Sequence, residues 1–255
     1  MYFCPFNFWR LPIDEKTQIL DFKFGDVNGD GIFDSVYLIG EKNYGEESSF
    51  IENIKIVIVD GFTYALTTIP LKSNAGYNPR LFLGKFTSSQ DISLDEIFVS
   101  IFSGGSGGMS FYYIYSYLDN KINMLFDYEV FDEEYKYTIS YKDNYKVQVI
   151  NKTLKNEYTI DIEYKGLDYL SEIYDENGKL LKPLEGYVVP VSGLYPVDYN
   201  GDNIFELLSY RRIIGKYNAD SLGIINLSLK WNKDMYEVFW ENVSIYGRDL
   251  DNIVV

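Results

Sequence analysis

Asp26, Asn28, Asp30 and Asp34 stand at positions 1, 3, 5 and 9 of "DVNGDGIFD", with glycines at 29 and 31. Alternate oxygen-bearing side chains around a glycine bend are how a short loop surrounds a hard cation. Calcium takes six to eight oxygens at about 2.3–2.6 Å. Three carboxylates and an amide from this loop, the Ile32 carbonyl at position 7 and water supply that number. The Ile32 side chain is expected to turn into the core. Position 12, where an EF-hand needs a bidentate Glu, is Tyr37 inside a strand-like run, so no helix follows the loop.

The same wording returns in "DYNGDNIFE", where Asp198, Asn200, Asp202 and Glu206 repeat the acidic and amide positions and Ile204 the carbonyl. Asn203 replaces the bend glycine, and Asn is the side chain that best tolerates the left-handed region. Position 12 is Ser209. Two calcium ions are therefore expected, one per loop. Weaker echoes start at Lys85 and Lys142, so starts at 26, 85, 142 and 198 define a period of roughly 57 residues. Lys85, Thr87 and Ser89 replace ligands in the second unit, where the ammonium of Lys85 would take the place of an ion.

Each period reads as strands separated by turns rich in Asx and Gly. The second unit has "RLFLGKF", "EIFVSIF", "MSFYYIYSYL" and "INMLFDYEVF". The third has "KYTISY", "YKVQVIN", "EYTIDIEYK" and "DYLSEIYD", and the fourth runs from "GLYPV" to "MYEVFWENVSI". Alternation with such turns marks antiparallel hairpins. The expected fold is all-β: a β-propeller-like array of about four four-stranded antiparallel meander units at 19–75, 76–132, 133–182 and 183–255, forming a single domain. An N-terminal extension occupies 1–18, and packed β-sandwiches are the alternative.

"GDVNGDGIFD" followed by "SVYLIG" resembles the FG-GAP/VCBS repeat, the blade unit of integrin α-subunit propellers and of many bacterial surface proteins. The resemblance is strong at 25–40, good at 197–210, poor at 84–99 and absent by residue at 142–150. It implies a calcium-binding propeller with cell-surface or extracellular association, and it implies no reaction.

The composition narrows the functions. A net charge of −15 opposes nucleic acid and anionic membranes. The chain has no His, which removes Ser-His-Asp and Cys-His catalysis and the usual zinc, iron and copper ligand sets. Cys4, the single cysteine, has no partner for an internal disulfide. No basic, apolar leader opens the chain and no stretch approaches ~20 apolar residues, so neither a secretory signal nor a membrane span is expected. "SGGSGG" at 103–108 reads as a hairpin tip, and Arg211 and Arg212 as partners for acidic neighbours. The chain is thus read as a non-enzymatic calcium-binding protein with a structural or binding role. The alternatives are a carbohydrate-active enzyme using Asp or Glu at a propeller axis, and a module that binds a glycan or protein ligand.

Overall fold

Runs of β-branched and aromatic residues favour a pleated, half-buried surface, and here they become strands. The structure, a computed structural model, describes residues 11, 14–45, 47–87, 94–105 and 108–247. Cys4, Ser89 and most of the 1–18 extension lie outside the described residues, as do Ser106 and Gly107 of the glycine-rich tip.

The described residues are all-β, with sixteen strands in two eight-stranded antiparallel sheets. The first sheet holds β1 (Thr17–Gly25), β2 (Asp34–Glu41), β3 (Phe50–Val59) and β4 (Leu66–Pro70). It continues with β5 (Gly76–Gly84), β6 (Glu96–Phe102), β7 (Ser110–Ser116) and β8 (Asn123–Asp127). These are two four-stranded meanders joined by a short ladder in which Phe50 pairs with Tyr77 and Ile51 with Gly76. One core serves both meanders: Val36, Leu38, Ile56 and Ile58 from the first share it with Ile97, Val99, Ile101 and Tyr113 from the second. Burying each such aliphatic side chain is worth about 1.5–3 kcal/mol. A shared core is as compatible with packed sheets as with a meander array.

The second sheet holds β9 (Tyr137–Lys142), β10 (Lys146–Asn151), β11 (Glu157–Asp161) and β12 (Glu185–Val188). Its remaining strands are β13 (Gly193–Val197), β14 (Glu206–Ile214), β15 (Ser221–Asn232) and β16 (Met235–Ser244). β12 pairs with β9 on one side and with β14 on the other.

Two expected strands are helical instead. "YEVF" belongs to α1 (Tyr128–Glu134); across its end the Phe131 and Tyr135 rings meet, tilted, four residues apart at 5.2 Å, and Lys136 pairs with Glu133 at 2.9 Å. Both spacings match one helix turn. "DYLSEIYD" contains the helical turn α2 (Leu167–Leu170), entered through Gly166 at φ +82°. The fourth strand paired in that array is β12, beyond it in sequence. No helix among the described residues is long and apolar enough to cross a membrane.

By contacts the chain divides into two compact units. The first contains the residues up to Tyr128 with Asp198–Glu206 and Trp231–Tyr236; the second contains Glu129–Val197, Leu207–Lys230 and the residues from Glu237 on. Both acidic loops therefore belong to the first unit.

Candidate metal centre

Gly25 pairs with Asp34 to close the β1–β2 hairpin, and residues 26–33 form its loop. Each acidic or amide side chain caps an amide further along. Asp26 accepts from the Gly29 N–H on Oδ1 at 2.7 Å and from the Gly31 N–H on Oδ2 at 2.9 Å. Asn28 Oδ1 accepts from Asp30 N–H at 3.0 Å, and Asp30 Oδ1 from Ile32 N–H at 2.8 Å. Asp34 Oδ2 reaches back to Val27 N–H at 3.0 Å. Such self-capping is why Asp and Asn build turns. Gly31 sits at φ +83°, where a Cβ would be strained.

Partners distant in sequence brace the loop. Asp34 is fully buried and accepts from Gly61 N–H at 2.9 Å. Asn28 donates from Nδ2 to Asp60 Oδ2 at 2.8 Å, and its carbonyl accepts from Asp119 N–H at 3.0 Å. The Asp26 carbonyl accepts from Asp95 N–H at 2.8 Å. Burial raises the Asp34 carboxyl above its ordinary value; the Gly61 and Val27 N–H groups oppose that, and the charges of Asp60 and Asp30 add to it. Asp95 is raised by burial and by Asp26, against the pull of Lys85. Asp60 is also penalised by burial, yet hydrogen bonds from Thr63, Phe62 and Asn28 bring it below its usual value.

The Ile32 side chain does not enter the core. It is 41% exposed, and Phe33 is 57% exposed with its ring edge-on to Phe24 at 5.5 Å. The loop tip stands beyond the last sheet pair, so position 7 points outward.

The second loop repeats the first bond for bond. Asp198 accepts from Gly201 N–H at 2.7 Å and from Asn203 N–H at 3.0 Å. Asn200 Oδ1 accepts from Asp202 N–H at 3.0 Å, Asp202 Oδ1 from Ile204 N–H at 2.8 Å, and Glu206 Oε2 from Tyr199 N–H at 3.2 Å. Asn203 takes the bend position at φ +64°. Here Asn200, Asp202 and Asn203 are exposed. The apolar tip is docked instead: Ile204 bridges to Lys85, whose carbonyl accepts from Phe205 N–H at 2.7 Å. The Phe205 ring lies 5.2 Å from Phe82 and 5.9 Å from Phe86.

Hard oxygens of the kind calcium prefers line both loops. Among the described residues, however, no three acidic side chains already stand together as a cage. Their oxygens are turned to the loops' own amides, and each carboxylate oxygen keeps a further lone pair.

Comparison with known proteins settles the kinship. Residues 135–244 match the family model of the YybI C-terminal domain. Over 242 residues the chain is 42% identical to protein YybI of Bacillus subtilis (strain 168), a match covering 95% of this chain and 90% of that protein. The chain belongs to the YybI family. This corrects the resemblance to FG-GAP/VCBS repeats, which rested chiefly on residues 25–40 and 197–210, whereas the YybI match runs through nearly the whole sequence. No solved structure matches.

In this YybI-family chain the second meander keeps one element of the loop design. Gly84 pairs with Glu96 as Gly25 pairs with Asp34. Glu96 accepts from Phe86 N–H at 2.5 Å, as Asp34 does from Val27, and also from the Thr87 N–H at 3.0 Å and hydroxyl at 2.5 Å. In the third array Lys142 pairs with Lys146 across a three-residue turn, too short for a ligand loop. Arg211 is buried against Asp132 at 3.4 Å and donates to the Tyr135 carbonyl at 2.7 Å, while Arg212 donates to the Asn218 carbonyl at 3.1 Å. Sequence reasoning missed Asp60 and Asp95 as neighbours of the first loop. Only the strand register brings them to the loops.

Proposed function

We propose that this YybI-family protein is a non-enzymatic calcium-binding protein with a structural or binding role, in which calcium rigidifies the loops 26–34 and 198–206. The reading rests on one observation: five backbone-to-side-chain hydrogen bonds recur at the same register in two loops far apart in sequence. A loop kept in one conformation by its ligand-type residues needs little reorganisation to take an ion, which lowers the cost of binding. Asp26, Asn28, Asp30, Asp34 and the Ile32 carbonyl would hold one ion. Asp198, Asn200, Asp202, Glu206 and the Ile204 carbonyl would hold the other. Asp60 braces the first loop through the Asn28 amide. Calcium would neutralise carboxylates that otherwise repel in a chain of net charge −15. Magnesium, which demands near-ideal octahedral geometry, fits such loops poorly.

Thermal unfolding in calcium and in chelator tests the reading. Calcium is expected to raise the melting temperature by several degrees, and Asp30→Ala, at an exposed position, to remove most of the gain. Equal melting temperatures in calcium and chelator would contradict the proposal.

A further inference from the structure

The second compact unit holds a shallow cleft lined by Tyr164, Tyr169, Tyr217 and Tyr246 with Lys165 and Asp220. Its floor is fixed by a polar network. Asp220, buried, takes the Lys165 ammonium on Oδ1 at 2.5 Å. Its Oδ2 accepts from the Tyr169 hydroxyl at 2.6 Å and from Lys216 N–H at 2.8 Å. The Tyr169 ring has the ammonium groups of Lys165 and Lys216 each 4.8 Å from its centroid. Cation–π attraction adds to the hydrogen bonds in holding that ring still.

What the cleft leaves unused identifies its ligand. A phosphate or carboxylate needs an uncommitted cation. Both lysines are already paired, Lys165 with Asp220 and Lys216 with Glu172. A metal ion needs an open carboxylate, and the Asp220 side chain is 1% exposed with both oxygens engaged; an organic cation seeking the ring faces would meet the Lys165 and Lys216 ammonium groups already over Tyr169. The remaining groups are ring faces and hydroxyls. Tyr217 and Tyr246 stand exposed, the latter with its hydroxyl 2.8 Å from that of Ser221. The Tyr164 hydroxyl is buried without a hydrogen-bond partner.

We propose that this cleft binds a neutral saccharide, whose ring stacks on Tyr217 and Tyr246 and whose hydroxyls meet the exposed Tyr246–Ser221 hydroxyl pair. Aromatic faces beside a few fixed polar groups suit a ligand that is apolar on its ring faces and polar at its edge. The site lies in the unit that does not hold the acidic loops, so it stands or falls independently of calcium.

Saturation-transfer NMR on the full chain, with and without chelator, tests it, using cellotetraose, maltotetraose and chitotetraose as probes at about 10 mM, above a millimolar dissociation constant. Transfer to the ring protons of at least one sugar is expected, unchanged by chelator. Tyr217→Ala and Tyr246→Ala, both at exposed positions, should each weaken it about tenfold, the scale of one lost aromatic contact. Tyr44→Ala, exposed in the other unit, should leave it intact. No transfer to any of the three sugars would overturn the proposal. So would transfer that survives both Tyr217→Ala and Tyr246→Ala.

Discussion

The two acidic loops share a conformation and invert its environment. In 26–34 the carboxylate of Asp34 is fully buried, while Ile32 and Phe33 stand out from the surface. In 198–206 Asp202 is exposed and Asp198 and Glu206 are only half-buried, while Ile204 and Phe205 dock on Lys85, Phe82 and Phe86. Nine residues therefore specify how the backbone turns. They do not specify which side of the turn is buried. That is decided by neighbours brought in by the sheets: Asp60, Gly61, Asp95 and Asp119 around the first loop, and the end of β5 beside the second.

The largest test of the inversion removes the ninth residue from each loop. Asp34→Ala leaves the Val27 and Gly61 amides without their acceptor and is expected to cost about 2–4 kcal/mol. Glu206→Ala, which loses one 3.2 Å contact near solvent, should cost less than about 1 kcal/mol. Urea unfolding of both variants in chelator measures the difference; equal costs would break the comparison. At the eighth position the order reverses. Phe205→Ala should destabilise by about 2–3 kcal/mol through lost aromatic packing, and Phe33→Ala by less than about 1 kcal/mol. A double-mutant cycle of Phe205 with Phe82 would assign that loss to the ring contact.

Glu96 sharpens the comparison, because it is the counterpart of Asp34 in a hairpin where Lys85 replaces the first ligand. Burial raises its carboxyl above the ordinary 4.5, against hydrogen bonds from Thr87 and Phe86, with Asp95 adding to the rise. A raised carboxyl favours the folded state fully below the unfolded value, and that contribution is lost as pH rises through the folded one. Wild type should therefore lose stability relative to Glu96→Gln as pH rises from the ordinary 4.5 through the raised folded value. A pH-independent gap between the two, followed by chemical unfolding, would contradict this. The smallest effect lies at the bend. Gly31→Ala at φ +83° should cost about 1 kcal/mol, while Asn203→Gly at φ +64° should change stability by only a few tenths. Thermal melts of the two variants resolve it.

How much of this was legible in the sequence follows from the range of each interaction. The turns were, because Asp26, Asn28 and Asp30 bond to amides two to five residues away. The strand edges were also legible: "EIFVSIF" is β6 as read, and "YKVQVIN" holds β10. Helix α1 was misread because "DYEVF" alternates like a strand, although Phe131 and Tyr135 carried the helical spacing. β12 was missed because "EGYV" is short and precedes "VPV". Asp60 could not be assigned before the register of β2 with β3 was known. Kinship was misjudged for the same reason as burial: the loop is local, and the family is a property of the whole chain.

Amide NMR during calcium titration tests the central claim most directly, because Gly31 and Asn203 N–H groups each bond to the first ligand of their loop. Both amides should shift on adding calcium, with Gly31, in the braced loop, saturating at the lower concentration. Two unmoved amides at about 10 mM calcium, beyond the range of even weak protein sites, would contradict the account.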